Sequence, residues 1–205
     1  PIFFPGGDIG KLAVCGTVND LSVSGARPLY ISVSFIIEEG FLIADLERIV
    51  VSMAAEAKKA KVAIVTGDTK VVNKDKCDKI FINTAGIGIV GKKHRFLGQG
   101  RNIQPGDRII INGNLGDHGI AVMNARESFN IKTPVVSDCA SLNSLIWKML
   151  NTSGKVKFMR DPTRGGVATV LNEIVKKTEL GIELDEAMIP VSENVKGMCE
   201  ILGFD

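Results

Sequence analysis

The sequence predicts an α/β protein with two halves, because segments with the period of a strand alternate along the chain with segments with the period of a helix. Leu29 to Ile37 alternates apolar and polar residues, as a half-buried strand does. Ile43 to Ala60 repeats apolar residues at helical spacing, with acidic residues early and lysines late, as the helix dipole favours. The run 91–107 is rich in glycine and basic residues. We therefore predict a boundary near residue 100, between domains 1–100 and 101–205.

The other elements are predicted from the same periodicities. In the first half, a helix is predicted from Asp8 to Ser24, and strands are predicted at Val62–Thr66 and Lys79–Val90. In the second half, strands are predicted at Arg108–Asn112, at Val156–Met159 and near Ile182. Helices are predicted for 118–127, 141–150, the residues after Gly166, and the residues from Glu193 onwards.

Composition excludes several classes of function. The chain has 205 residues, of which 45% are hydrophobic, so it can bury a core without disulfides or a structural metal. Its 25 basic and 23 acidic residues nearly cancel, and no dense Lys/Arg block argues for nucleic-acid binding. No apolar stretch approaches the roughly 20 residues that span a bilayer. The four cysteines are far apart and no secretory leader is visible, so a reduced, cytoplasmic protein is expected.

Three acidic segments carry the functional signal, because each places a carboxylate beside residues suited to phosphate. Asn19-Asp20 offers an amide and a carboxylate on one helix, the oxygen ligands that Mg²⁺ takes. Gly67-Asp68-Thr69-Lys70 follows a predicted buried strand and supplies an acid, a hydroxyl and an ammonium at a strand end or in the loop after it. Asp161 to Gly166 leads through Arg164 into a helix whose free N–H groups favour phosphate. Together they predict a magnesium–nucleotide site.

Other motifs match less well. Gly86 to Gly91 spells GxGxxG, but a basic, glycine-rich loop follows where a dinucleotide fingerprint needs a helix. Pro5 to Leu12 imitates a P-loop but has Pro5 for the first glycine and Leu12 for the metal-binding hydroxyl. His118 is either a structural histidine or an acid/base. Two histidines without a local signature support no Ser-His-Asp or Cys-His arrangement.

Three stretches together resemble the HypE family of hydrogenase maturation factors: Phe4 to Asp20, Gly67 to Val72, and Met159 to Gly166. This family lies within the ATP-using superfamily of aminoimidazole ribonucleotide synthetase. The resemblance implies an α/β, two-domain fold whose N-terminal half contributes strands to an intersubunit β-barrel in a homodimer, with ATP bound at the dimer interface. It implies Asp20, Asp68 and Asp161 as Mg²⁺ ligands. It also implies Lys70 and Asp68 as catalytic groups, and Asn19, Gly67, Thr69 and Arg164 as nucleotide-binding groups alongside them.

The resemblance also implies a reaction. Such enzymes use ATP to dehydrate a carboxamide, carried as a thiocarbamate on their own C-terminal cysteine, to a thiocyanate that supplies cyanide for the [NiFe]-hydrogenase iron. The implied partners are the carbamoyltransferase HypF and the HypC–HypD iron scaffold. Family members start earlier and continue later than this chain, so we expect weak or incomplete turnover from it. Cys199 lies in a predicted helix and is not expected to be the acceptor.

Two rival interpretations stay open at this level. One is a sister enzyme that makes selenophosphate or phosphorylates a thiamine precursor. No reactive Cys precedes the glycine loop here, which counts against the first of these. The other is a non-catalytic dimeric scaffold that binds no nucleotide. The joint presence of Asp20, Asp68, Lys70 and Asp161 counts against it.

Overall fold

The computed structural model describes residues 1–127 and 134–204. Its contacts group the chain into two compact units with interleaved segments. We call them the small unit, which is Pro1–Asp8, Gly106–Cys139 and Gly181–Asp205, and the sheet unit, which is Ile9–Pro105 and Ala140–Leu180. The boundary near residue 100 stays a prediction. Within the described residues, no helix is both long and apolar enough to cross a membrane.

A three-stranded sheet forms the centre of the sheet unit. Strand β3 (Ala26–Glu38) lies in the middle, with β4 (Ala63–Val72) parallel on one side and β5 (Ile80–Val90) antiparallel on the other. Helix α2 (Ile43–Ala60) is the crossover between β3 and β4 that a parallel pair requires. The predicted helix at 43–60 and the strands around 29–37 and 79–90 are therefore confirmed.

Helix α1 (Ile9–Val23) covers one face of this sheet, which we call the inner face. Val14 and Val18 of α1 are fully buried, as is Ile31 of β3. Gly86 allows the close contact: a Cβ there would lie 2.6 Å from Thr17 Cγ2 of α1. The GxGxxG run thus lies largely in strand β5, where Gly86 serves helix packing and not a dinucleotide.

Strand β4 corrects the predicted position of the second acidic segment. The predicted strand ends at Thr66, whereas the observed strand β4 continues to Val72. The long partner β3 supplies backbone partners as far as Glu38, which pairs with Val72. Ladder pairing therefore overrides the low strand propensity of glycine and aspartate. Gly67 to Lys70 lie inside a strand, not in a loop after it.

The predicted strands of the second half are not formed. Arg108–Asn112, Val156–Met159 and the residues around Ile182 have no assigned strand pairing among the described residues. A strand needs a hydrogen-bonded neighbour, which hydrophobic alternation alone does not supply. The predicted helices do form, as α3 (Asp117–Glu127), α4 (Asn143–Thr152), α5 (Gly166–Thr178) and α6 (Glu193–Leu202).

The small unit contains a short antiparallel hairpin and two of these helices. The hairpin pairs β1 (Phe3–Phe4) with β2 (Gly7–Asp8). Helices α3 and α6 share a core cluster with Ile120, Val135, Val195 and Met198 as its buried members. The Ser192 hydroxyl caps α6 by accepting a hydrogen bond from the Val195 N–H at 3.3 Å.

A buried carboxylate holds the segment 140–143 in the sheet unit. Glu56 of α2 is only 6% exposed and accepts hydrogen bonds from the Ser141 hydroxyl and from the Ser141 N–H. Burial alone raises the pKa of Glu56, but the Ser141 hydrogen bonds and the Lys59 ammonium outweigh it and hold this pKa below the ordinary 4.5. The ionised carboxylate thus fastens the segment to α2.

Glu56→Gln is expected to lower the free energy of unfolding at neutral pH by about 1–3 kcal/mol, because it weakens hydrogen bonds to a buried charge. The depressed pKa stabilises the fold fully above pH 4.5 and loses its effect as pH falls through the folded-state value. The deficit of the variant should therefore shrink in acid. Urea denaturation across pH measures this, with Glu47→Gln, an exposed change on the same helix, as the control. A deficit that is constant with pH would contradict the assignment.

Candidate functional site

Asp20 and Asp161 form a carboxylate pair in the sheet unit. Asp20 lies on the last turns of α1, and Asp161 precedes Pro162 in the segment before α5. Partial burial raises the pKa of Asp20, and so do the charge of Asp161 and a hydrogen bond with it, while Arg160 opposes the shift. Two carboxylates this close favour a shared proton or a bound cation. The structure thus brings together two of the three predicted metal ligands.

The residues after Asp161 lead into the free end of a helix. The Thr163 hydroxyl donates to Asp161 Oδ2 at 3.2 Å. Gly165 has φ +71° and caps α5 without any side-chain hydrogen bond. A Cβ on Gly165 would lie 2.1 Å from Thr169 Oγ1, so glycine is required. Arg164 is exposed at this end, where a cation and free N–H groups suit phosphate.

Asp68 and Lys70 lie on the outer face of the sheet, opposite α1. Pairing places Asp68 beside Ser34 and Lys70 beside Ile36, whereas Gly67 and Thr69 fall on the inner side. All four β4 residues are exposed, and Asp68 Oδ1 accepts a hydrogen bond from the Thr69 N–H at 2.8 Å. The four residues therefore do not form one phosphate-holding loop, because successive strand side chains point to opposite faces.

The structure does not bring Asp68 to the acid pair within one copy of the chain. Among residues 1–127 and 134–204, no group of three or more His, Cys, Asp or Glu side chains is placed to hold a metal ion. Asp20 belongs to the helix on the inner face, and Asp68 points from the outer face. A three-carboxylate Mg²⁺ site therefore stays a prediction, and the geometry of one copy supports only the pair.

Asn19 uses both ends of its amide to hold the segment 140–143. Its Nδ2 donates to the Ala140 carbonyl at 3.0 Å, and its Oδ1 accepts from the Leu142 N–H at 2.8 Å. The predicted nucleotide contact stays a prediction. In this structure Asn19 attaches the segment that precedes α4 to helix α1. Asn19 is the residue next to Asp20 of the acid pair.

Sequence reasoning missed Glu56 and Arg160. Glu56 falls among the buried positions of α2, beside Ala57, and an acid within an apolar helical stripe signals a buried partner. Arg160 Nη2 lies 3.7 Å from Glu173 Oε2 of α5. The positive charge of Arg160 also lowers the pKa of Asp20, against the other causes. His118, left open above, has its Nδ1 2.8 Å from the Ser137 hydroxyl and packs edge-on against Phe4 in the small unit.

Two family models match the chain in succession. The model of the AIR synthase related protein N-terminal domain covers residues 1–90, and the model of its C-terminal domain covers residues 104–204. This order agrees with the α/β fold and with the ATP-using superfamily that the motifs indicated. The chain belongs to the AIR synthase related family.

Within this family, the chain is similar to HypE proteins. It is 52% identical to carbamoyl dehydratase HypE of Cupriavidus necator over the whole chain and spans 58% of that relative's length. Its structure matches HypE in complex with ATP at TM-score 0.95 and 50% identity, covering 61% of that chain. It matches the HypE–HypF complex at TM-score 0.93 and 54% identity, covering 67% of the matched chain. The resemblance read from the motifs is confirmed.

Asp161→Asn is expected to stabilise the chain at neutral pH without divalent cations, by up to about 1 kcal/mol, because it relieves repulsion in a partly exposed pair. The raised pKa of Asp20 means that ionising it above the ordinary 3.8 opposes folding. Thermal unfolding in a chelating buffer measures the effect. Asp78→Asn, an exposed acid outside the pair, should leave the midpoint unchanged. A lower midpoint for Asp161→Asn would show that the two carboxylates do not repel.

Proposed function

We propose that this chain forms the nucleotide-handling part of an ATP-dependent carbamoyl dehydratase of hydrogenase maturation. The observation that carries the proposal is the Asp20–Asp161 pair beside the start of α5, in a chain about half identical to HypE proteins. In the proposed reaction, a thiocarbamate is carried on a C-terminal cysteine, and its oxygen accepts the γ-phosphoryl group of ATP. ADP is the leaving group of this transfer. Loss of two protons and departure of phosphate then give the thiocyanate, the source of cyanide for the [NiFe] iron.

The residues present fit a magnesium–nucleotide complex. Mg²⁺ prefers carboxylate oxygens, and Asp20 and Asp161 are two carboxylates whose mutual repulsion a cation would relieve. Bound there, Mg²⁺ would supply charge neutralisation for the phosphates. Arg164 and the free N–H groups of α5 would hold phosphate oxygens, with Asn19 anchoring the neighbouring segment.

Lys70 and Asp68 are proposed as the catalytic pair. The Lys70 ammonium would offset charge on the phosphoryl group in transfer, and Asp68 would accept a proton or serve as a third metal ligand. Gly67 brings the backbone of β4 close to β3, since a Cβ there would lie 2.8 Å from the Val33 carbonyl oxygen. Thr69, whose side chain lies on the opposite side of β4 from Asp68 and Lys70, is proposed as a further nucleotide-binding residue.

The outer face of the sheet supports the proposal of a homodimer. Ile87, Phe81 and Tyr30 share this face with Asp68 and Lys70, and they are 68%, 53% and 48% exposed. Strands β4 and β5 both end the sheet with unpaired edges among the described residues. A second copy joining its strands into an intersubunit β-barrel would cover both features. It would also bring catalytic groups of both copies to one interface.

The remaining proposals concern partners and compartment. HypF is proposed as the carbamoyl donor, because a similar HypE forms a complex with HypF. The HypC–HypD iron scaffold is proposed as the acceptor of the cyanide. A cytoplasmic location accords with four free cysteines among the described residues. No nucleic acid or membrane enters the proposed reaction.

Mg-ATP at 100 times its dissociation constant is expected to raise the free energy of unfolding by about 2.7 kcal/mol. Asp20→Asn should abolish most of this gain, because it removes a metal-binding charge with little change in volume. Lys70→Ala should leave the gain largely intact and block ATP turnover in a chain of the relatives' full length. Differential scanning calorimetry and an ADP-release assay measure the two effects. The scaffold alternative predicts no shift even in the longer chain.

Ile87→Lys is expected to convert the proposed dimer to monomer, because it places a charge in the apolar centre of the barrel interface. The matched control is Ile43→Lys at the start of α2, since both isoleucines are 68% exposed. Sedimentation equilibrium measures the association. Dimers in both variants would rule out the outer face as the interface.

A further inference from the structure

Positive charge is unevenly distributed along the chain. Segments 80–105 and 140–159 both belong to the sheet unit and together contain seven Lys and Arg residues and no Asp or Glu. The rest of the chain contains 18 basic and 23 acidic residues. The near-neutral total therefore conceals a basic region within an acidic remainder.

The two segments pack against each other. Leu97 of the first forms a core cluster with Ile146 and Leu150 of the second. The rings of His94 and Trp147 meet edge-on with their centroids 5.8 Å apart. Their charged side chains therefore share one region of the surface. We call it the basic face: Lys92, Lys93, Arg95 and Arg101, with the three lysines between 148 and 157.

Two arginines of the basic face are held on one aromatic ring. The guanidinium carbons of Arg95 and Arg101 lie 4.7 Å and 5.5 Å from the centroid of Phe96. Cation–π contact orients a guanidinium while leaving N–H groups free to bind a carboxylate in bidentate fashion. Within the part of the chain that the structure describes, neither arginine forms a salt bridge, and neither do Lys92 and Lys93.

We propose that the basic face docks an acidic surface of a partner protein. Positive charges spread over two packed segments exceed what one small anion can contact, and they complement a carboxylate-rich surface. The rings that a single-stranded nucleic acid would stack on already have neighbours: two guanidiniums lie on Phe96, and His94 meets Trp147. A protein partner therefore fits the chemistry better than a nucleic acid does.

The test uses a fluorescein-labelled glutamate oligomer as the probe, with binding followed by anisotropy as salt is raised. Lys92→Glu/Lys93→Glu should weaken binding about tenfold, because both exposed charges oppose the probe. Lys176→Glu/Lys177→Glu makes the same change in net charge at the exposed end of α5 and should alter binding by less than about twofold. Arg95→Lys/Arg101→Lys keeps the charge but should weaken binding several-fold, because lysine lacks the bidentate fork.

Two results would overturn the proposal. Equal losses in the two charge-reversed variants would show that binding follows net charge and not this face. Tighter binding of an oligothymidylate of similar charge, abolished only by Lys92→Glu/Lys93→Glu, would make the face a nucleic-acid site. Circular dichroism of each variant excludes unfolding as the cause of a loss. Mg-ATP binding, measured in parallel, separates this face from the proposed nucleotide site.

Discussion

The attachment of residues 140–143 to α1 and α2 joins a distant part of the chain to the helix that carries Asp20. Asn19 bonds the segment through both ends of its amide, and the buried Glu56 carboxylate holds Ser141. The chain then continues through α4 and returns to α1 at Asp161, which meets Asp20. The segment 140–161 thus contacts Asn19 at its start and the adjacent Asp20 at its end, both on α1. Since Asn19 and Glu56 fix where it begins, they also constrain the carboxylate that arrives at its end.

Strand β4 links the proposed chemistry to the proposed oligomer. It is an edge strand of ten residues, nearly all of them exposed, and such an edge is prone to pair with another chain unless it is covered. Asp68 and Lys70 lie on this strand and on the outer face. The pair Asp20–Asp161 gains no third acid within one described copy. In the proposed dimer, the contact that covers the edge of β4 would therefore also complete the site. A monomer would then be folded but would bind nucleotide more weakly than the dimer.

The sequence was sufficient where local patterns decide the structure. Helix α2 has the predicted bounds because its apolar stripe and end charges agree. The association of Asp20 with Asp161 followed from motif resemblance, not from periodicity, since 141 positions separate the two. Prediction failed where a partner segment decides the structure. Gly67 to Lys70 became strand because β3 extends beside them, whereas 108–112 have no strand partner among residues 1–127 and 134–204. The amide of Asn19 was predicted to contact a ligand, but it forms hydrogen bonds with the backbone of Ala140 and Leu142, which lie 121 and 123 positions away in the sequence.

Charge separation explains how one nearly neutral chain can offer two unlike electrostatic sites. The acid pair would favour a cation, whereas the proposed basic face, 92–101 with 148–157, would favour anions. At physiological ionic strength, screening over about 8 Å limits each field to its own surroundings. Arg160, paired with Glu173, adjoins Asp161 and moderates the acid pair without adding a free charge to the basic face. The total of +2 is therefore uninformative about partners, and the placement of each charge decides what binds where.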